Sequence, residues 1–325
     1  MNLGGIYKDL GNLDQALAST LKSLELKPDN PDTLSNLGSI YSNLGNLYKA
    51  KKYTLKALSI NPNHFNSAWN LLEFSESLAE AEQRIDKCLS IDNNNAKSKI
   101  ILAALKYHQG DKAFLESLLQ SEYKYHPYTR SINWVSGLPH IPKLFFDKWS
   151  LFDHAVGISI TSRPFYEFGV WNAASFKYLI KSLKTGYGFD TFEGLPVDWH
   201  NEKEGSYSAN GIIPQIKGGE FIKGKFAETL PNFFSQQKPV ASIINFDADL
   251  YSSTLCALEN AKSVIDNHTI LIFDEFIIND FWEEDEYKAL NEFCTNNRVS
   301  YEVVAVSYFT KQVVIKLIGL GQVPL

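Results

Sequence analysis

The chain is poor in the features that most readily assign a protein. It has 3 cysteines, Cys88, Cys256 and Cys294, in 325 residues. They are far apart and odd in number, so they make neither a disulfide framework nor a recognisable zinc site, and a reducing, cytoplasmic setting is expected. Basic charge is also short: 31 Lys and Arg face 37 Asp and Glu, a net charge of −6. Without a basic stripe to neutralise phosphates, a nucleic-acid surface is excluded. No run of about 18 apolar residues occurs, and no cationic segment followed by an apolar stretch opens the chain, so neither a membrane span nor a secretion leader is expected. The triplet Asn267-His-Thr269 is therefore read as a chance match to a glycosylation site. A compact Gly-x-Gly-x-x-Gly turn is missing, which counts against a nicotinamide-dependent oxidoreductase.

What is present suffices for two cores, with 44% hydrophobic and 13% aromatic residues. The first third contains an internal repeat. Leu3-Gly-Gly-Ile-Tyr7, Leu10-Gly-Asn12, Ala16 and Pro28 recur as Leu37-Gly-Ser-Ile-Tyr41, Leu44-Gly-Asn46, Ala50 and Pro62, at an offset of 34. An eroded third unit survives in Lys87–Ile91, which echoes Lys56–Ile60 at an offset of 31, and a fourth is expected around Ala103–Leu119 with Gly110-Asp111 in its turn. Each helical hairpin leaves an apolar face that a neighbour must cover, and Tyr7, Tyr41 and Trp69 are read as packing residues between helices. Met1 falls inside the first helix of its repeat, which predicts an incomplete solenoid or a late start. The period, with Gly and Tyr on the first helix and small residues on the second, resembles the tetratricopeptide repeat.

The expected organisation is a helical repeat domain over 1–120, a connector and lid helix over 121–155, and an α/β domain over 156–325. The connector carries Pro127, Pro139 and Pro142, and helical spacing returns over 144–160. Beyond it, the pattern predicts strands over 164–169, 186–190, 220–225, 241–246 and 269–273, with helices after the first, third, fourth and fifth. Tyr301–Val306 and Val313–Ile318 are separated by only six residues. That is too few for a parallel crossover, so an antiparallel pair is expected.

The chemistry concentrates at strand ends. Pro164–Ser175 reads as a buried strand, a tight turn at Gly169 and a helix start, a junction that presents backbone N–H groups to a ligand. The next strand, Gly186–Asp190, ends in a carboxylate suited to a ribose diol. Two more strands end in the acid clusters Asp247-Ala-Asp249 and Asp274-Glu275. Trp199 and His200 fall in a lid, and Glu283-Glu-Asp-Glu286 reads as a solvated helix start.

Five blocks occur in the order of a known family: Glu167–Trp171, Gly188–Pro196, Gly224–Pro231, Asp247–Thr254 and Phe273–Phe276. With the terminal hairpin, they make residues 165–288 similar to class I S-adenosylmethionine-dependent methyltransferases, and among those to the macrocin O-methyltransferase family. The resemblance implies a Rossmann-like, mostly parallel seven-stranded sheet ending in an antiparallel hairpin. It implies O-methylation of a sugar or glycosylated small molecule, with the repeats free to bind a protein partner. Glu167, Gly169 and Ser175 would border the methionine part of the cofactor, Asp190 the ribose and Phe226 the adenine. Asp247, Asp274 and Glu275 would hold a magnesium ion, and Asp249, beside Asp247, would be the general base. The chain departs from the family at Ala173-Ala174, where Gly-Gly is common, and at Asp274-Glu275, where Asp-Asp is common. The first departure puts a β-carbon where the backbone approaches the cofactor. It keeps open a second reading, a tetratricopeptide scaffold whose methyltransferase-like domain has lost turnover.

Overall fold

The structure, a computed structural model, describes Gly5 and residues 13–320. The chain divides into two compact units, the first ending at Gly137 and the second beginning at Leu138. In the first unit, helices α1 (Leu13–Leu26), α2 (Pro31–Asn43), α3 (Leu47–Ile60), α4 (Phe65–Asn70), α5 (Leu78–Ile91), α6 (Ala96–His108), α7 (Ala113–Leu119) and α8 (Pro127–Ser136) follow one another through short turns. Apart from Gly5, the first-helix motifs Leu3–Tyr7 and Leu10–Asn12 lie outside the described residues.

The repeat is a repeat of caps as well as of apolar positions. Asn30, His64 and Asn95 each accept a backbone N–H from the residue three positions on, starting α2, α4 and α6. Asn46 and Ser77 do the same for α3 and α5. Between α2 and α3 the chain approaches closely, because Gly38 faces Thr54 and Ala50. Leu37, Tyr41 and Ala50 form a buried cluster there, and the Tyr41 ring stacks on Tyr53 with centroids 5.6 Å apart. Tyr41 is thus a packing residue, as expected.

The second unit is built on an eight-stranded sheet. Its strands are β1 (Lys143–Leu144), β2 (Phe165–Phe168), β3 (Gly186–Asp190), β4 (Gly219–Lys223), β5 (Ile243–Phe246), β6 (Ile270–Phe273), β7 (Ser300–Val306) and β8 (Val313–Ile318), ordered β1-β7-β8-β6-β5-β2-β3-β4. Strands β4, β3, β2, β5 and β6 run parallel, and β8 inserts antiparallel to both β6 and β7. The seven expected strands are present, and the two-residue β1 adds an eighth at the edge beside β7. Helices α9 (Lys148–Gly157), α10 (Ala174–Leu183), α11 (Phe226–Phe234), α12 (Tyr251–Ala261) and α13 (Glu286–Asn297) complete the unit. Every residue of β2, β5 and β6 is buried, as a parallel sheet covered on both faces requires. No helix among the described residues is long and apolar enough to cross a membrane.

One side-chain ladder sets the register of the central strands. Phe189, Phe168, Phe246 and Phe273 are successive cross-strand partners. Their rings stack at centroid distances of 5.0, 5.5 and 4.7 Å. Each residue that follows a ladder phenylalanine is a candidate site residue: Gly169, Asp190, Asp247 and Asp274. The ladder therefore delivers these four side by side to the carboxyl edge of the sheet, where ligands bind in open α/β folds.

A β-carbon on Gly38 would lie 2.4 Å from the buried Thr54 Oγ1. Gly38→Ala is expected to lower stability by about 1–3 kcal/mol through overpacking, measured by urea unfolding. A neutral result would mean that α2 and α3 do not pack this closely.

Candidate active site

The carboxyl edge holds a cavity of about 260 Å³, just under the usual range of about 300–1,000 Å³ for small-molecule sites. It is lined by Gly169 after β2, Asp190 and Thr191 after β3, Lys225-Phe-Ala227 after β4 and Asp247-Ala-Asp249 after β5. The loop between β3 and β4 contributes Gly194-Leu-Pro196 and Tyr207, and α12 contributes Ser252, Ser253 and Cys256.

Gly169 is required after β2. Its φ is +90°, and a β-carbon there would stand 1.8 Å from the Asp247 carbonyl oxygen. The Gly169 and Asp247 backbones are held to the sheet by N–H bonds to the Phe189 and Phe168 carbonyls, at 2.9 and 2.8 Å. Close approach of the two loops thus depends on the absence of a side chain at 169.

Asp190 lines the cavity, but most of its carboxylate is engaged. Oδ2 accepts the Val170 and Trp171 N–H groups at 2.7 Å each, and Oδ1 accepts the Phe192 N–H at 2.6 Å. Of roughly four lone-pair sites on a carboxylate, about one remains for a ligand hydroxyl. The loop it grips is strained, with Trp171 and Ala173 at φ +47° and +61°. Ala173 does adopt the left-handed conformation that alanine disfavours. Its methyl belongs to the buried core with Phe176 and Val170 and does not line the cavity.

The other expected residues divide cleanly. Gly169, Asp190, Phe226, Asp247 and Asp249 share the cavity, whereas Glu167, Ser175, Asp274 and Glu275 do not line it. Ser175 is buried in the first turn of α10. Glu167 lies 1% exposed in β2 beside Asn245, with Oε2 lacking any hydrogen-bond partner. Burial first, and then the Asp247 charge, push its carboxyl well above the ordinary range, against the pull of Lys148.

Lys148, the first residue of α9, pairs with two of the acids. Its Nζ lies 2.7 Å from Asp274 Oδ1 and 3.5 Å from Asp247 Oδ2. Burial alone would depress the ammonium, but Asp274 and Asp247 outweigh it and hold Lys148 above the ordinary lysine value. Gln312 Nε2 donates to the same Asp274 oxygen at 2.8 Å, and Lys311 Nζ bonds both Glu275 oxygens at 2.8 and 2.7 Å. The three carboxylates expected to hold magnesium therefore do not fit that ion. Two of them share an ammonium group, the third pairs with another, and no cluster among the described residues could hold a metal. The magnesium expected at Asp247, Asp274 and Glu275 is thus not supported by these contacts.

Asp247 and Asp249 differ in their surroundings. Burial, reinforced by Asp274 and Glu275 and opposed by Lys148, pushes the Asp247 carboxyl up to about 7. Asp249 is raised well above the carboxylate range by burial and then by Asp247, Glu275 and Asp274, with Lys311 acting against them. Its backbone sits at φ +60°, in the left-handed region that Asp tolerates better than most residues.

The 283–286 run is not a solvated helix start throughout. Asp285 and Glu286 are 4% and 0% exposed. Glu286 Oε2 accepts the Glu275 N–H at 3.0 Å, and Asp285 Oδ2 meets His200 Nε2 at 2.8 Å. His200 also stacks on Phe281 at 3.9 Å, so it fastens the loop between β3 and β4 to the segment that leads into α13. Sequence reasoning missed Lys148, Lys311, Gln312 and Glu286. One signal existed for Lys148: a lysine in the first turn of a helix opposes the helix dipole and calls for a compensating anion.

Comparison with known proteins bears chiefly on the first unit. Residues 4–45 match the family model "TPR repeat" and residues 31–64 match "Tetratricopeptide repeat", so this segment carries tetratricopeptide repeats. No curated protein matches the chain. Among solved structures, the O-methyltransferase NovP is similar at 16% identity over 52% of this chain and 78% of its own, with a TM-score of 0.41. The calicheamicin methyltransferase CalS11 is similar at 16% identity over 74% and 94%, with a TM-score of 0.41. An O-methyltransferase from Bacillus cereus in complex with SAH is similar at 15% identity over 63% and 97%, with a TM-score of 0.38.

A buried carboxyl raised above its ordinary value of 4.5 keeps in the folded protein a proton that the unfolded chain releases. The stability contributed by protonated Glu167 is full below about pH 4.5 and is lost as pH rises toward the folded value, by at most about 1.4 kcal/mol per pH unit. Glu167→Gln is expected to flatten this decline in urea unfolding between about pH 5 and about pH 8. Equal slopes for the two proteins would mean that Glu167 is ionised when folded.

Proposed function

We propose that the second unit transfers a methyl group from S-adenosylmethionine to a hydroxyl of a sugar or glycosylated small molecule, and that the repeats bind a protein partner. The observation that carries this reading is the shared cavity of Gly169, Asp190, Phe226, Asp247 and Asp249 at one sheet edge. The cofactor, when bound, supplies a sulfonium methyl group open to attack by an oxygen nucleophile. Gly169 lets the two loops beneath it close, Asp190 keeps one acceptor site for a ribose hydroxyl, and Phe226 offers an aromatic face for a base.

An alcohol is a weak nucleophile near neutrality, so a base within hydrogen-bond reach raises its alkoxide character. Asp247 suits that role better than Asp249. Its carboxyl is brought to about 7, near the operating pH at which a general base works best. Burial and the neighbouring acids favour the neutral form of Asp249, which as a hydrogen-bond donor can orient the acceptor oxygen. Trp171 and Tyr207 meet edge to face at 5.9 Å, and both line the cavity. Their rings favour an acceptor with an apolar face, such as a deoxysugar, over a highly charged one.

The engagement of Asp190 by loop backbone favours the scaffold as the second reading. Calorimetry with S-adenosylhomocysteine separates the two: binding is expected, and no heat at millimolar concentration would leave the scaffold. Asp190→Ala is expected to weaken that binding about tenfold, or about 1.4 kcal/mol. Asp247→Asn is expected to leave binding intact while lowering methyl transfer to a panel of hydroxylated glycosides by about 10²–10⁴-fold. A variant as active as the parent would remove Asp247 from the mechanism.

A further inference from the structure

We infer that Lys148 is the resident cation of this site, standing where a divalent metal would otherwise bridge Asp247 and Asp274, so that the site works without metal. Its ammonium group contacts one oxygen of each carboxylate, at 3.5 and 2.7 Å. The three side chains retain only 21%, 28% and 15% exposure, so water screens the contact little. The Phe152 ring centroid lies 5.5 Å from the same nitrogen, on the apolar side of the group.

The lysine is held by its backbone. Asp147 caps α9, with Oδ1 accepting the Trp149 and Ser150 N–H groups at 2.9 Å each. Just before it, the Phe145 N–H is tied to the Val306 carbonyl at 2.9 Å, beside the β1–β7 pairing. Trp149, immediately after Lys148, is buried, and its ring lies 4.6 Å from Tyr178. The stem of Lys148 thus starts from a pinned helix end and reaches a fixed point. Gln312 completes the Asp274 environment from the opposite element, the loop before β8.

Magnesium demands about six oxygen ligands at roughly 2.0–2.1 Å and keeps several waters. An ammonium group between the two carboxylates occupies the space such an ion needs and neutralises one of the two negative charges that would attract it. Lys148 is here a positioning residue: it orients Asp247 toward the cavity and supplies a permanent positive charge. Its part in methyl transfer rests on the function proposed above, whereas exclusion of metal does not, and the two fail separately.

The test uses Mn²⁺ as the probe on the full chain without cofactor, with bound ion read by electron paramagnetic resonance. The parent protein is expected to bind no Mn²⁺ up to about 1 mM. Lys148→Ala is expected to gain one site, at least about tenfold tighter than any parent binding, which Asp274→Asn in the same chain abolishes. Lys148→Arg, which keeps the charge, is expected to exclude the ion. Stoichiometric binding to the parent, or no gain in a folded Lys148→Ala protein, overturns the inference. If Lys148→Ala does not fold, the parent and Lys148→Arg measurements decide it: binding to either overturns it, and exclusion by both supports it. Methyl transfer, once an acceptor is found, is expected to survive exhaustive chelation.

Discussion

Four phenylalanines, one per central strand, set the geometry on which the second unit depends. Parallel strands have evenly spaced hydrogen bonds, so backbone pairing alone discriminates registers poorly, and side chains must do so. The stacked rings of Phe189, Phe168, Phe246 and Phe273 act as that index. A slip of one residue on any strand would break a stack and turn the following residue away from the cavity. Gly169 then lets the β2 and β5 loops close to contact, and both line the cavity.

Collecting acids at one edge creates an electrostatic difficulty. Glu167, Asp247, Asp249, Asp274, Glu275 and Glu286 crowd a region of buried and half-buried side chains, where unpaired charge is costly. The fold resolves this in two ways. Asp274 and Glu275 receive lysine partners, while Glu167, Asp249 and Glu286 are driven toward their neutral forms by burial and by the charges of Asp247 and Asp274. Asp247 falls between these groups. It touches Lys148 yet faces several acids, and that balance leaves its carboxyl near neutrality.

Much of the fold was legible. The 34-residue offset announced the repeats, because the sequence repeats its small residues and its Leu-Gly-Asn turn at that spacing and helix caps recur at corresponding positions. The central strands lie within one to two residues of their expected ends, since continuous apolar runs bounded by acids and glycines admit few alternatives. The strand-end residues Gly169, Asp190 and Asp247 were legible for the same reason: residues just past a buried parallel strand emerge at one edge whatever else the chain does. The state of those residues was not. The backbone bonds that engage Asp190 come from a loop whose positive φ angles no residue pattern announces. The buried carboxyl of Glu286 looked like one more charge in an acidic run.

The amino-acid sequence by itself determined the repeat architecture, the order of strands and helices, and the carboxylates that reach the sheet edge, because periodicity and strand-end position are local properties. Only the tertiary structure decided what those carboxylates meet. Lys148 lies 99 residues before Asp247, and Lys311 lies 36 residues after Glu275. Nothing local joins them. Their pairing follows from a helix start and a hairpin loop folding over the same edge, and long-range electrostatics of that kind exist only once the chain has closed.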